Sequence, residues 1–180
     1  DHELAKNGMI NSGIIASKLG LSGIPEIAER ILIERDLTLL ENTKCRYHIS
    51  QISSQKSVDV IKQRKEIVKF TSGVSINNLS LNENDIGDFR TFLKLSPPLR
   101  TEEDRLALVQ GIKDELIDVI VSDHKPEDEE SKRLTFSQAA TGASGIETLL
   151  SLSLELYHNG SLKLETVIKT LTSNPAKILK

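Results

Sequence analysis

The stretch Leu116-Ile117-Asp118-Val119-Ile120-Val121-Ser122-Asp123-His124-Lys125-Pro126 decides the fold. All but Asp118 of its first six residues are apolar, and most are β-branched. Such a run reads as a strand buried on both faces, as in a parallel sheet covered by helices. It stops at Ser-Asp-His, and Pro126 prevents further pairing. In α/β folds the chemistry gathers at the carboxyl ends of strands, which makes Asp123 and His124 candidates for metal ligation or proton transfer. Ser122 and Asp123 are equally suited to capping the loop that follows.

Working outward, Thr101-Glu102-Glu103-Asp104 has the composition of a helix start, with an N-cap threonine and acids in the first turn. Leu106, Leu108, Val109 and Ile112 continue that helix into the strand. Before it, Ser96-Pro97-Pro98-Leu99-Arg100 is a stiff connector, and Phe92–Leu95 suits a short strand. Further upstream, strands are expected at Tyr47–Ser50 and Ile67–Thr71, separated by a helix carrying Val58 and Ile61 inward. A polar loop rich in Asn and Ser should follow the second. The helix beginning at Pro25 is expected to bury Ile27, Ile31, Leu32, Leu39 and Leu40, and Asp1–Ser22 reads as a long, irregular, functional loop. Downstream, Glu127–Lys132 reads as an exposed charged loop that lacks the ligand spacing of a calcium site. Helices follow through Tyr157, from Leu164 to Leu171, and after Asn174-Pro175.

Strands alternating with helices imply βα units and a parallel sheet. Three units form either a small open sheet or the C-terminal part of a (β/α)8 barrel, which needs about 250 residues. The 180-residue chain begins at Asp1 rather than methionine, which favours the second. With a net charge of -3, no long basic run and 3% aromatics, nucleic-acid binding is not expected. No apolar run reaches membrane-spanning length. The single cysteine, Cys45, suits a reducing, cytoplasmic setting and reads as a packing residue. His2 and His158 read as surface residues and His48 as structural.

Several segments, in order, resemble the bacterial dihydroorotases of the amidohydrolase superfamily. Gly20-Leu21-Ser22-Gly23-Ile24-Pro25 resembles the family's loop and next helix. Tyr47-His48-Ile49-Ser50-Gln51-Ile52-Ser53 resembles the strand His-x-x-His-Val-Ser, and Ser96-Pro97-Pro98-Leu99-Arg100 resembles Asn-Pro-Pro-Leu-Arg. Ile117–Pro126 resembles the last strand, ending Asp-His-Ala-Pro-His. Gly142, Gly145 and Glu147 fit Phe-Gly-x-x-Gly-x-Glu. The resemblance implies that residues 1–180 form the C-terminal half of an amidohydrolase-type barrel domain, ending in helices. It also implies a zinc-dependent hydrolase of a cyclic amide in pyrimidine biosynthesis.

The departures fall on functional positions. The resemblance makes Gln51 and Asp123 metal-ligand positions, and Asp123 also the proton-shuttle position. Glutamine is a poor replacement for imidazole on zinc. The substrate-binding positions are Ser96, in place of asparagine, and Glu127, in place of histidine. A carboxylate at Glu127 would repel the carboxylate of dihydroorotate. The family's Pro-His-His falls on Ile76-Asn77-Asn78. Two classes follow. One is a noncatalytic relative with zinc absent or incomplete, acting as a structural subunit with aspartate carbamoyltransferase or as a homo-oligomer. The other is an active zinc-dependent cyclic amidohydrolase.

Overall fold

The computed structural model describes residues Asp1–Lys180. In chain order the elements are β1 (Ile10–Asn11), α1 (Ile14–Leu19), β2 (Gly23–Ile24), α2 (Ile27–Thr43), β3 (His48–Ile49), α3 (Gln55–Arg64), β4 (Thr71–Ser75) and α4 (Ile76–Ser80). After two 3-10 turns come α5 (Glu102–Lys113), β5 (Val119–Val121), α6 (Glu129–Lys132), α7 (Leu149–His158), α8 (Leu164–Leu171) and α9 (Ser173–Leu179).

The main sheet is parallel throughout, in the order β3-β4-β5. Helix α3 returns the chain from β3 to β4, and α5 returns it from β4 to β5. This is the βα repeat expected of an apolar strand that must be covered. The deciding stretch does form a buried strand, with Ile117, Val119 and Ile120 each no more than 4% exposed. Thr101 caps α5 in a reciprocal box with Asp104, and Ser54 caps α3 by accepting from Ser57 N. Leu37, Ile52, Ile61, Val74, Leu108 and Ile112 fill the space between sheet and helices. A second cluster of Ile10, Ala16, Ile86, Leu95, Leu99 and Phe136 ties the N-terminal unit to the loops after β4 and β5.

Several expectations fail for identifiable reasons. The middle strand is Thr71–Ser75, not Ile67–Thr71, and Ile67 is exposed. Its small residues permit close approach: a Cβ on Gly73 would lie 2.6 Å from Ser50 O. Phe92–Leu95 forms a 3-10 turn at Thr91–Leu93, not a strand, and the polar stretch after β4 contains buried α4. Asp1–Ser22 is not wholly irregular, because β1 pairs in parallel with β2 around α1. Helix α2 buries Ala28, Ile33, Leu37 and Leu40, while Ile27, Ile31 and Leu39 lie outside. It carries apolar residues on several sides, so periodicity could not select the inner one. Cys45 is exposed rather than packed, and Lys132 is buried within the segment expected to be an exposed charged loop.

Candidate functional site

Parallel pairing places Gln51, two residues beyond β3, and Asp123, two residues beyond β5, at the same end of the sheet. Gln51 Nε2 donates to Asp123 Oδ1 at 2.7 Å. An ionised carboxylate only accepts, so the amide must turn its NH2 group toward it. Asp123 has a left-handed backbone (φ 48°), which aspartate tolerates better than most residues and which terminates the strand. The turn beyond is tightly fitted. A Cβ on Gly145 would lie 2.1 Å from Ser122 O, and one on Gly142, at φ 144°, would lie 2.4 Å from Lys125 O.

The other expected positions make no hydrogen bond to this pair. Ser96 is exposed on the loop after β4, whose course is fixed by Asn78 Nδ2 donating to Pro98 O at 2.9 Å. Glu127 is half-buried and pairs with Lys125 on its own loop at 3.5 Å. His124 is exposed, and its Nδ1 accepts from the Gly145 and Ile146 amides at 3.2 and 3.3 Å. His48 is structural, with Nδ1 2.7 Å from Thr71 Oγ1. Burial holds its pKa below the ordinary histidine value, against the opposing charge of Asp118.

No group of three or more His, Cys, Asp or Glu side chains is arranged to hold a metal ion. Within this chain the two expected ligand positions supply one carboxylate and one amide, hydrogen-bonded to each other. The amide of Gln51 does not fit zinc at that position, where imidazole, thiolate or carboxylate ligands are taken. A cavity of about 680 Å³ does exist, but it lies near the start of β5, against Asp118, Lys169 and Asn174.

A buried ionic network beside this end was invisible in the sequence. Arg100 is 3% exposed. Its guanidinium donates to Ser53 Oγ (3.1 Å), Asn11 Oδ1 (2.8 Å) and Ile24 O (2.6 Å). Asn11 donates in turn to Glu83 Oε2 at 2.7 Å. Glu29 accepts from Ser53 N at 2.9 Å and from the Ser53 and Ser57 hydroxyls, fixing the entry to α3. Burial lowers the Arg100 pKa, and the surrounding Glu29, Asp104, Glu26 and Glu83 oppose that shift. Spacing carries no signal for such a network, whose members span Asn11 to Asp104.

The whole chain aligns with a protein named dihydroorotase from Ehrlichia canis (strain Jake), at 46% identity over 182 positions. The chain belongs to the dihydroorotase family. A dihydroorotase from Desulforapulum autotrophicum is 39% identical over 99% of the chain. The chain spans about two-fifths of the length of these curated relatives, 41% and 42% respectively, matching their C-terminal part. No protein-family model matches it. Among solved structures, L-hydantoinase from Arthrobacter aurescens superposes with a TM-score of 0.81 at 28% identity, covering 93% of this chain and 38% of that one. Dihydropyrimidinase from Brevibacillus agri shares the fold, with a TM-score of 0.78 at 21% identity over 87% of this chain and 35% of its own. The three parallel strands are therefore part of a (β/α)8 barrel, and Gln51 and Asp123 stand at its carboxyl mouth.

Proposed function

We propose that this chain comes from a noncatalytic dihydroorotase-family protein of pyrimidine biosynthesis. Its role is that of a structural subunit, with aspartate carbamoyltransferase or a second copy as partner. The observation that carries the reading is the 2.7 Å bond from Gln51 Nε2 to Asp123 Oδ1. It commits the retained carboxylate to a neutral amide, where the resemblance calls for a histidine–metal arrangement. Ser96 and Glu127 add to the case, because Glu127 is engaged by Lys125 and brings negative charge where an anionic substrate would sit. A second reading, an active zinc-dependent cyclic amidohydrolase, is favoured by the 46% identity to a protein named dihydroorotase and by the retention of Asp123. Zinc content and dihydroorotate turnover of the purified full-length protein decide between them. The noncatalytic reading expects neither. Stoichiometric zinc with turnover of roughly 1–1000 per second would overturn it.

A further inference from the structure

Two lysines beside the mouth are buried without an acidic partner. Lys94 is 8% exposed and Lys132 is 3% exposed. Lys94 Nζ donates to Phe136 O (2.8 Å), Ser137 O (3.1 Å) and Ala139 O (2.8 Å). These three bonds use every proton an ammonium group has. Lys132 Nζ donates to Ala140 O (2.9 Å) and Gly142 O (2.8 Å). The two ammonium groups lie 5.8 Å and 6.0 Å from the ring centroids of Phe136 and Phe92, within cation–π range. Thus five carbonyls from one short segment, residues 136–142, face two cations. Burial pushes both lysine pKa values down, and Glu127 works the other way on Lys132.

The end of that segment runs against the residues that follow Asp123, where a Cβ on Gly142 would lie 2.4 Å from Lys125 O. Gly142 N donates to Lys94 O at 2.9 Å, and Lys125 N donates to Ala143 O at 2.9 Å. Immediately beyond, Gly145 and Ile146 donate to His124. A backbone carbonyl buried without a donor is costly, so the course of residues 136–142 depends on cations being supplied.

We propose that Lys94 and Lys132 are tethered cations filling two backbone-carbonyl cages, that they position the segment running against the residues after Asp123, and that an emptied Lys94 cage accepts a free monovalent cation of ammonium size. This holds whether or not the protein is catalytic. It assigns the lysines a positioning role and the segment a latent cation-binding chemistry.

The test is Lys94→Ala in the full-length protein. In tetramethylammonium chloride, whose cation is too large for the cage, the variant should melt about 4–10 °C below wild type and lose amide-exchange protection across 136–146. Potassium or ammonium chloride at the same ionic strength should restore both, and should leave wild type unchanged. A variant as stable as wild type, or equal recovery in all three salts, or none, would overturn the proposal. Should Lys94→Ala not fold, the side-chain ammonium protons of wild type provide the decision by NMR. Slowly exchanging signals from Lys94 and Lys132, distinct from the surface lysines, support the cages, and rapid solvent averaging of both refutes them.

Discussion

Replacing Arg100 by methionine isolates the ionic network from the packing around it, because the aliphatic length is kept while the guanidinium is lost. Three hydrogen bonds disappear, to Ser53 Oγ, Asn11 Oδ1 and Ile24 O. The Asn11 amide oxygen is left without a donor, at about 1–3 kcal/mol for a buried acceptor left unpaired, while the Ile24 carbonyl keeps its bond from Ser12 N. Glu29, Asp104, Glu26 and Glu83 also lose the cation whose field they share. Removing one side of a buried charge arrangement costs about 3–5 kcal/mol, a range that already contains that orphaned acceptor. At about 2–4 °C per kcal/mol for a chain of this size, Tm should fall by about 6–20 °C. The loss should also be local at first. Ile24 and Asn11 belong to the β1–β2 pair, so amide exchange and limited proteolysis should show residues 7–24 loosening before the main sheet. Arg100→Lys should recover only part, since one ammonium cannot reproduce the planar fork. A Tm within about 2 °C of wild type, with unchanged protection at residues 7–24, would refute the network as a structural pin.

Gln51→His combined with Ser96→Asn and Glu127→His should raise zinc uptake by the full-length protein, measured by elemental analysis; unchanged uptake means the remaining ligands are also missing. Gly145→Ala should cost about 1–3 kcal/mol or more in denaturant unfolding, because its Cβ would stand 2.1 Å from Ser122 O and force the turn apart. His48 should titrate below the ordinary histidine value by NMR, and the stability it contributes should be present above pH about 6.5 and fade as pH falls through its folded-state pKa. His48→Asn should flatten that acid slope, and an unchanged slope would place it elsewhere. Tyr47, pushed up to about 12 by burial and by the Asp36 carboxylate it donates to, should contribute stability that is fully present below pH about 10 and lost as pH rises through about 12. Tyr47→Phe should remove this alkaline loss.

The sequence was most legible where one physical signal dominated. The apolar run before Ser122 could only be buried, and its proline stop located the strand end that carries Asp123. Capping chemistry placed the start of α5 at Thr101. Parallel topology then implied that Gln51 and Asp123 share an end. What stayed hidden depends on partners distant in sequence. Ser72, Gly73 and Ser75 carry no strand signal, and β4 exists because its small residues admit a close neighbour on each side. Lys94 and Lys132 look like surface residues until the carbonyls that accept from them are in view. Arg100 likewise has no local signature. The exposed row of Ile27, Ile31 and Leu39 on α2 misled for the opposite reason, since apolar character in a helix does not say which of several apolar sides faces inward.

The sheet also has an uneven outline. Its middle strand runs for five residues, while the flanking strands run for two and three. Each border therefore offers only a few main-chain rungs to a newcomer, and rungs alone would not distinguish one alignment from a neighbouring one. A strand laid against β3 or β5 must find its register from the side chains that meet across the joint. A slip by a single residue would turn every side chain of the incoming strand to the wrong face. Joining of this sheet to further barrel strands is thus aligned by shape rather than by main-chain adhesion.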